Sequence, residues 1–486
     1  MLTALAPQDP KVATVQLPDA FVATDAVMQD IDLDGRTDLV LACRNRQSGE
    51  RRVQVHLRQA RGPAFVPTPS QQAPLDKSIV AFTFCDCDDQ PGRELVLLGA
   101  TNAAVVLRKP DGSPDYRPLF RHPLVWPAAS SERAIPLPDA VADFDGDGRE
   151  DLLLPGPDSW TAWFQTGRGR FVMQRLDLPA WRDRIRDAVG GRGASSGGGG
   201  LELRIANGRP GNAAGTLVRT SARTPPCSVV DFDGDGRDDL VTFRNGALFV
   251  GAQQQPAQLT TIRRDLPLPE NRLQLLDPSF DVQWPDVDGD GRRDLLLTTS
   301  AKRDDEVEAR IDLFSTQADG GWPQRHDARL RLQPLGQPPQ IVDVDGDGRD
   351  DLVCVSIRTG SMRDFTGSEK RTLDAQLTVF GNDGKQFRKP PTLNAALQLE
   401  AGSRELRQPF LRVRPGRKGF PGDVLIHVGG RLERRLLSRR GDQLRMADAD
   451  ASTEVPDATR IQVADRFGDD LLLVTEREVR HVRFRR

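Results

Sequence analysis

The sequence predicts an all-β fold: an eight-bladed β-propeller of four-stranded antiparallel blades closed by an N-terminal strand, with seven blades as the alternative. Three observations point to it. An acidic decapeptide recurs along the chain, its copies are spaced almost evenly, and each copy sits between the same short apolar runs. Composition agrees with a folded chain: of 486 residues, 37% are hydrophobic and 28% charged, and the 44 Gly bring the apolar share into the ordinary globular range. No stretch approaches the roughly 18 apolar residues of a bilayer span, and MLTALAPQDPK lacks a basic region followed by an apolar core. Neither a membrane span nor an export leader is expected within these residues.

Five segments superpose without gaps: DIDLDGRTDL from Asp30, DFDGDGREDL from Asp143, DFDGDGRDDL from Asp231, DVDGDGRRDL from Asp286 and DVDGDGRDDL from Asp343. Each reads D-x-D-x-D-G-x-x-D-L. A sixth, DCDDQPGREL, keeps acids at the first, third and ninth places (Asp86, Asp88, Glu94) but has Gln90 at the fifth. Two fainter echoes, GRKGFPGDVLI and ADRFGDDLLLV, keep only the ninth-place acid (Asp423, Asp470) and the apolar run after it. Successive ninth-place acids lie 56, 57, 88, 55, 57, 72 and 47 residues apart, a unit near 56 with one large insertion.

Within a unit, an apolar stretch precedes the acidic loop, and DLVLAC-like and VQVHL-like runs follow it, then a Gly turn and a last run. Runs of four to six residues rich in Val, Leu and Phe, bounded by Gly, Pro, Asp and Asn, are strands too short to be helices. Four such strands repeated at this period are the signature of propeller blades. The last unit ends after three strands, while KVATVQL has no partner of its own, so residues 11–17 are expected to supply the missing outer strand. The whole chain, 1–486, reads as a single domain, with residues 179–225 inserted between blades 3 and 4. In that insertion WRDRIRDAV places Trp181, Ile185 and Ala188 on one side of a short helix. GGRGASSGGGG follows as a flexible tether, then a hairpin from Leu201 to Leu217.

Four carboxylates within nine residues repel one another, so the loop is stable as a compact turn only with a cation among them. Side-chain oxygens at places one, three, five and nine, a backbone carbonyl at seven, and a Gly at six for the sharp turn make a calcium cage. The expected ligands are Asp30, Asp32, Asp34, Arg36 and Asp38 in the first loop, and Asp143, Asp145, Asp147, Arg149 and Asp151 in the next full copy. They are Asp231, Asp233, Asp235, Arg237 and Asp239, then Asp286, Asp288, Asp290, Arg292 and Asp294, then Asp343, Asp345, Asp347, Arg349 and Asp351 in the remaining three. Each Arg contributes only its carbonyl. A weaker sixth site is expected at Asp86, Asp88 and Glu94. The twelfth places hold Leu41, Leu154, Thr242, Leu297 and Cys354 and the flanks are strands, which excludes an EF-hand.

These loops and their spacing resemble the VCBS or FG-GAP repeat, the blade unit of integrin alpha-subunit propellers and of many bacterial exported proteins. The likeness runs from about residue 21 nearly to the end. It implies calcium on five loops, an extracellular, cell-surface or periplasmic location, and a non-catalytic binding or adhesion role. The Phe-Gly and Gly-Ala-Pro signposts of integrin blades are not repeated, so an integrin-like ligand mechanism does not carry over.

Five dications would turn the formal charge from −3 to +7, and residues 401–486 hold 18 Arg and one Lys against 13 acids. An acidic polysaccharide is therefore one conceivable partner, beside the bland reading of a solvated Arg-rich surface. The expected function is an extracellular calcium-binding module for a protein or polysaccharide ligand. The alternative is a polysaccharide lyase or other carbohydrate-active enzyme on the same scaffold. Long second-to-third-strand links (residues 44–52, 300–308 and 357–374) fall at the strand ends opposite the acidic loops; Trp181, Met362 and Phe365 stand out there and in the insertion as exposed-looking residues. The five Cys (43, 85, 87, 227, 354) form no regular framework and read as small buried residues, with one bridge from Cys43 to Cys85 or Cys87 left open. Arg440-Gly441-Asp442 sits at a turn whose Gly-Asp has a backbone reason of its own. No zinc motif, Walker loop or dinucleotide fingerprint occurs, and nucleic acid is not an expected partner.

Overall fold

The computed structural model describes residues 10–60, 65–88, 90–108, 114–123, 141–156, 159–179, 185–187, 200–206, 217–223, 227–237, 239–244, 247–255, 258–265, 281–303, 306–317, 320–357, 371–401, 410–456, 460–463, 470–475 and 477–484. Among the described residues every regular element is a strand. Eight sheets of four antiparallel strands make an eight-bladed β-propeller. Blade 1 is Phe21–Gln29, Asp38–Asn45, Arg51–His56 and Gln71–Leu75; blade 2 is Ile79–Cys85, Glu94–Gly99, Asn102–Arg108 and Pro114–Arg121. Blade 3 is Val141–Ala142, Asp151–Pro155, Ser159–Gly167 and Arg170–Pro179; blade 4 is Cys227–Val230, Asp239–Arg244, Ala247–Gln255 and Gln258–Asp265. Blade 5 is Asp281–Gln283, Leu295–Arg303, Glu306–Phe314 and Ala328–Leu332; blade 6 is Gln340–Val342, Asp351–Ile357, Arg371–Phe380 and Leu393–Ala401. Blade 7 is Leu411–Arg414, Asp423–Val428, Arg431–Arg440 and Gln443–Glu454, so the degenerate region around 400–450 is a blade and the count is eight rather than seven.

Blade 8 takes Arg460–Val463, Asp470–Val474 and Glu478–Arg483 from the end of the chain and Lys11–Gln16 from its start. The two outer strands pair from Lys11 opposite Arg483 to Gln16 opposite Glu478. The strand alternates as its sequence requires, with Ala13 and Val15 buried and Lys11, Thr14 and Gln16 exposed.

The chain divides into two compact units, Met1–Met28 with Arg58–Thr68 and Pro267–Arg486, and Gln29–Leu57 with Pro69–Leu266. In both, the second strand of a blade is buried on its two faces, which is why it reads as an unbroken apolar run. In blade 3 of the second unit, Leu152 and Leu154 pack with Val96, Leu98 and Cys85 of blade 2, while Leu153 turns to Leu240 and Leu259 of blade 4. In the first unit Leu352 and Cys354 pack toward blade 5, and Val353 and Val355 toward Val424 and Ile426 of blade 7.

The insertion contains a three-stranded sheet in the order Ile185–Asp187, Leu217–Arg223, Gly200–Ala206. The expected hairpin is present, pairing Leu201 with Ala222 and Ala206 with Leu217. The expected helix is not: Ile185–Asp187 is a strand with Ile185 opposite Thr220, because an exposed strand edge offers backbone bonds to a segment too short to nucleate a helix. Trp181, Ala188, Met362 and Phe365 lie outside the described residues. The long link at 300–308 extends its hairpin, with Arg303 opposite Glu306. Cys43, Cys85, Cys87 and Cys354 are free and buried, so no bridge joins Cys43 to either neighbour.

The acidic turns adopt the backbone that their Gly pattern allows. The sixth-place Gly35, Gly148, Gly236, Gly291 and Gly348 have φ of 83°, 86°, 86°, 87° and 90°. The fourth place is also left-handed, with Gly in four loops and Leu33, at φ 57°, in the first. Blade 7 seats its own turn on the blade 6 loop: the Gly416, Gly422 and Gly419 amides donate to the carbonyls of Asp343 (2.7 Å), Val344 (2.7 Å) and Gly346 (3.0 Å). A Cβ on Gly346 would lie 2.2 Å from the Arg417 carbonyl.

In blades 7 and 8, where the acidic ladder is missing, a protein cation meets the ninth-place acid. Arg414, fully buried, grips Asp423 with two donors, one at 2.6 Å, and reaches the Phe484 carbonyl at 3.1 Å. His481 Nε2 lies 2.6 Å from Asp470 Oδ1, with Arg58 and Arg483 at 3.8 and 3.7 Å. Burial alone would raise the Asp470 carboxyl, but the His481 bond and the charges of His481, Arg483 and Arg58 outweigh it and hold it below its ordinary value.

Two outcomes follow. Leu33→Gly relieves a left-handed leucine that costs about 1–2 kcal/mol, against a glycine entropy cost of about 0.5–1 kcal/mol. Urea unfolding is expected to show a net gain of up to about 1 kcal/mol, and a loss would contradict this account. Asp423→Ala leaves a buried guanidinium without its carboxylate and is expected to cost about 3–5 kcal/mol, whereas Arg414→Met with Asp423→Leu costs far less. Equal losses in the two variants would show that burial of the charge is not the issue.

Candidate metal centres

Each acidic loop joins the first strand of its blade to the second, and the ninth-place acid opens the second strand. That position buries it: Asp38, Asp151, Asp239, Asp294 and Asp351 are 0–2% exposed. One oxygen of each accepts the second-place amide, from Ile31 (3.0 Å), Phe144 (3.0 Å), Phe232 (3.0 Å), Val287 (3.0 Å) and Val344 (2.9 Å). The other oxygen takes an amide at the end of the third strand in three blades: Gln165 on Asp151 (2.7 Å), Thr316 on Asp294 (2.9 Å) and Asn382 on Asp351 (2.9 Å). Two of these residues also link neighbouring loops. Gln165 Nε2 donates to the carbonyls of Asp86 (2.9 Å) and Glu150 (3.0 Å), and Asn382 Nδ2 to those of Val287 (2.8 Å) and Asp350 (3.2 Å).

The first-place carboxylate folds back over the turn. Asp30 accepts the amides of Asp34 (3.1 Å) and Gly35 (2.9 Å), and Asp143 repeats this with Asp147 and Gly148. Asp231, Asp286 and Asp343 accept the fourth- and sixth-place glycine amides. Carboxylate oxygens therefore converge. Those of Asp30, Asp32 and Asp38, of Asp143, Asp145 and Asp151, and of Asp231, Asp233 and Asp239 lie within 4.8 Å of one another; so do those of Asp286, Asp288 and Asp290, and of Asp343, Asp345 and Asp347.

The fifth-place acids have a second partner that the sequence reading missed. The seventh-place guanidinium turns back onto them, pairing Arg36 with Asp34, Arg149 with Asp147, Arg237 with Asp235 (2.8 Å) and Arg292 with Asp290. Asp-Gly-Arg in every full copy was the available signal. Arg349 instead lies against Gly384, where a Cβ would be 3.1 Å from its guanidinium carbon, and Arg439 of blade 7 reaches Asp345 at 3.4 Å.

Burial is the main cause of the electrostatic cost here. It pushes the Asp151 and Asp351 carboxyls up to about 7 and Asp294 up to about 6, with the other loop acids adding to the rise and the backbone donors opposing it. Asp32 and Asp345 are raised for the same first reason, then by Asp34 and Asp347. The donor set is oxygen only, with several carboxylates on a tight turn, which fits a hard divalent cation such as calcium and does not fit a thiolate- or imidazole-seeking metal.

The loop at Asp86 is built differently. Glu94 accepts the Cys87 amide at 2.7 Å and is pushed to about 7, chiefly by burial. Arg93 occupies the surroundings, donating to Glu150 (2.5 and 2.7 Å) and to the Asp30 carbonyl (2.7 Å). Among the described residues Asp86, Asp88 and Glu94 do not form a converged group like the other five.

Comparisons with known proteins agree with the repeat. The FG-GAP-like repeat family matches residues 286–354, the fifth-blade loop through the sixth. No curated protein matches the chain. Among solved structures, a lectin from Agrocybe aegerita that recognises non-reducing terminal N-acetylglucosamine is 14% identical, covering 79% of this chain and 93% of its own at a TM-score of 0.32. A putative 6-phosphogluconolactonase from Bacteroides fragilis is 9% identical over 90% of this chain and 99% of its own, at 0.35. Virginiamycin B lyase from Staphylococcus aureus is 10% identical over 84% and 96%, at 0.31. Likenesses this remote carry nothing about activity. Residues 286–354 thus carry an FG-GAP-like repeat, and it is set within an eight-bladed β-propeller.

Proposed function

We propose that the protein is a non-catalytic binding module whose blades are held by structural calcium and which works outside the cytosol, where it engages a protein or polysaccharide. The observation that carries the reading is the convergence of three carboxylates within 4.8 Å in each of five loops, at places one, three and nine in three of them and one, three and five in two. Such a set is unfavourable without a counter-charge. Asp30, Asp32, Asp34 and Asp38 with the Arg36 carbonyl, and their counterparts in the other four loops, would hold the ion. Its chemistry there is neutralisation and cross-linking of the turn. Loops of this type suit millimolar extracellular calcium, which is the support for the location. FG-GAP repeats are typical of extracellular proteins, and no described helix is long and apolar enough to cross a membrane. The propeller fold commonly presents binding surfaces, and no observation favours the lyase alternative.

Calcium at 100 times its dissociation constant adds about 2.7 kcal/mol per site, so removal by chelator is expected to lower the melting temperature by many degrees. An unchanged melt after verified removal would sink the proposal. Elemental analysis of dialysed protein is expected to give about five calcium per chain. Asp343→Asn with Asp345→Asn is expected to remove one and leave the others; loss of none would move the metal elsewhere.

A further inference from the structure

We propose that the groove between blades 1 and 2, at the strand ends opposite the acidic loops, binds a carboxylate-bearing sugar unit. This rests on the reading of the protein as a binding module and names its ligand class. The groove lies wholly within the second compact unit and is an open cleft of about 470 Å³, the size of a saccharide subsite. Leu75, Ile79 and Leu97 are part of its apolar wall, and Arg51, Lys77, Asn102 and Tyr116 bring the polar and aromatic groups.

Arg51 is the reason to expect an anion. It is 6% exposed, yet among the described residues its guanidinium has one hydrogen-bond partner, the Asp76 carbonyl bonded by Nη2, and its Nη1 has none. Buried cations are ordinarily paired. Of the nearby carboxylates, Glu50 pairs with Arg52 at 2.7 Å, and Asp76, exposed and accepting the Ser78 amide at 2.8 Å, acts on Arg51 through its charge without an ion-pair contact. Lys77 adds a second positive charge at the rim. A carboxylate seated here gains charge-assisted hydrogen bonds that the protein itself does not supply.

A sugar fits better than an acidic peptide. Tyr116, the chain's single tyrosine, is 47% exposed and offers a ring face to the apolar side of a pyranose, with Asn102 beside it for hydroxyls. A peptide adding to a strand edge needs backbone donors, but Pro74 occupies the outer strand of blade 1 at the groove.

The test is calorimetric titration of the full chain, in calcium, with trigalacturonate, galactotriose and triglutamate. Trigalacturonate is expected to bind at least tenfold more tightly than either other probe. Tyr116→Ala and Lys77→Gln, both on exposed side chains, are each expected to weaken it five- to tenfold with melting unchanged, and Arg51→Gln to weaken it more. No trigalacturonate binding, equal binding of galactotriose or triglutamate, or full affinity in Tyr116→Ala and Lys77→Gln would overturn the assignment. A glycan-array signal unaffected by these variants would do the same while leaving the wider reading of a binding module standing.

Discussion

A carboxylate buried at the start of the second strand is the constraint on which the other parts of a blade depend. In seven blades this aspartate, from Asp38 to Asp470, is at most 6% exposed. In the five loops with the full ladder it takes the amide that folds the turn back on itself. A buried acid must find positive charge or donors. Blades 7 and 8 meet the need with Arg414 and with His481 and Arg58, and blade 2 surrounds its Glu94 loop with Arg93 and backbone donors. The five ladder loops gather more acids instead. In blades 7 and 8 a protein cation meets the ninth-place acid itself, whereas in four of the ladder loops the seventh-place Arg pairs with the fifth-place acid instead.

Packing distributes the consequence. A second strand buried on both faces belongs to two interfaces at once, so Leu153 answers to blade 4 while the leucines on either side of it answer to blade 2. In blades 3, 5 and 6 the acid that opens that strand also binds the end of the third strand, so turn geometry and inter-blade packing are fixed together there. Gln165 and Asn382 extend the coupling by bonding across to the preceding loop.

Much of this was legible from spacing. The decapeptides marked five blades, the sixth-place glycines foretold positive φ, and the alternation of KVATVQ identified a strand that needed a distant partner. Other parts were hidden for physical reasons. Ile-Arg-Asp at 185–187 has no period long enough to separate helix from strand, and its partner lies some 30 residues on. Arg414 and His481 sit in alternating strands where an inward-facing cation looks like any polar residue until its acid is seen across the sheet. The groove gathers side chains from Arg51 to Tyr116, a convergence no local pattern encodes.

The pairing of the first strand with the last has a mechanical side. Lys11 lies opposite Arg483, so the chain before the one and after the other departs from the same end of the ladder. Tension applied through the two ends would load the hydrogen bonds singly and in turn, as a zip opens, rather than all together in shear. Blade 8 would then yield at low force, and the remaining blades would feel the pull only after it had opened.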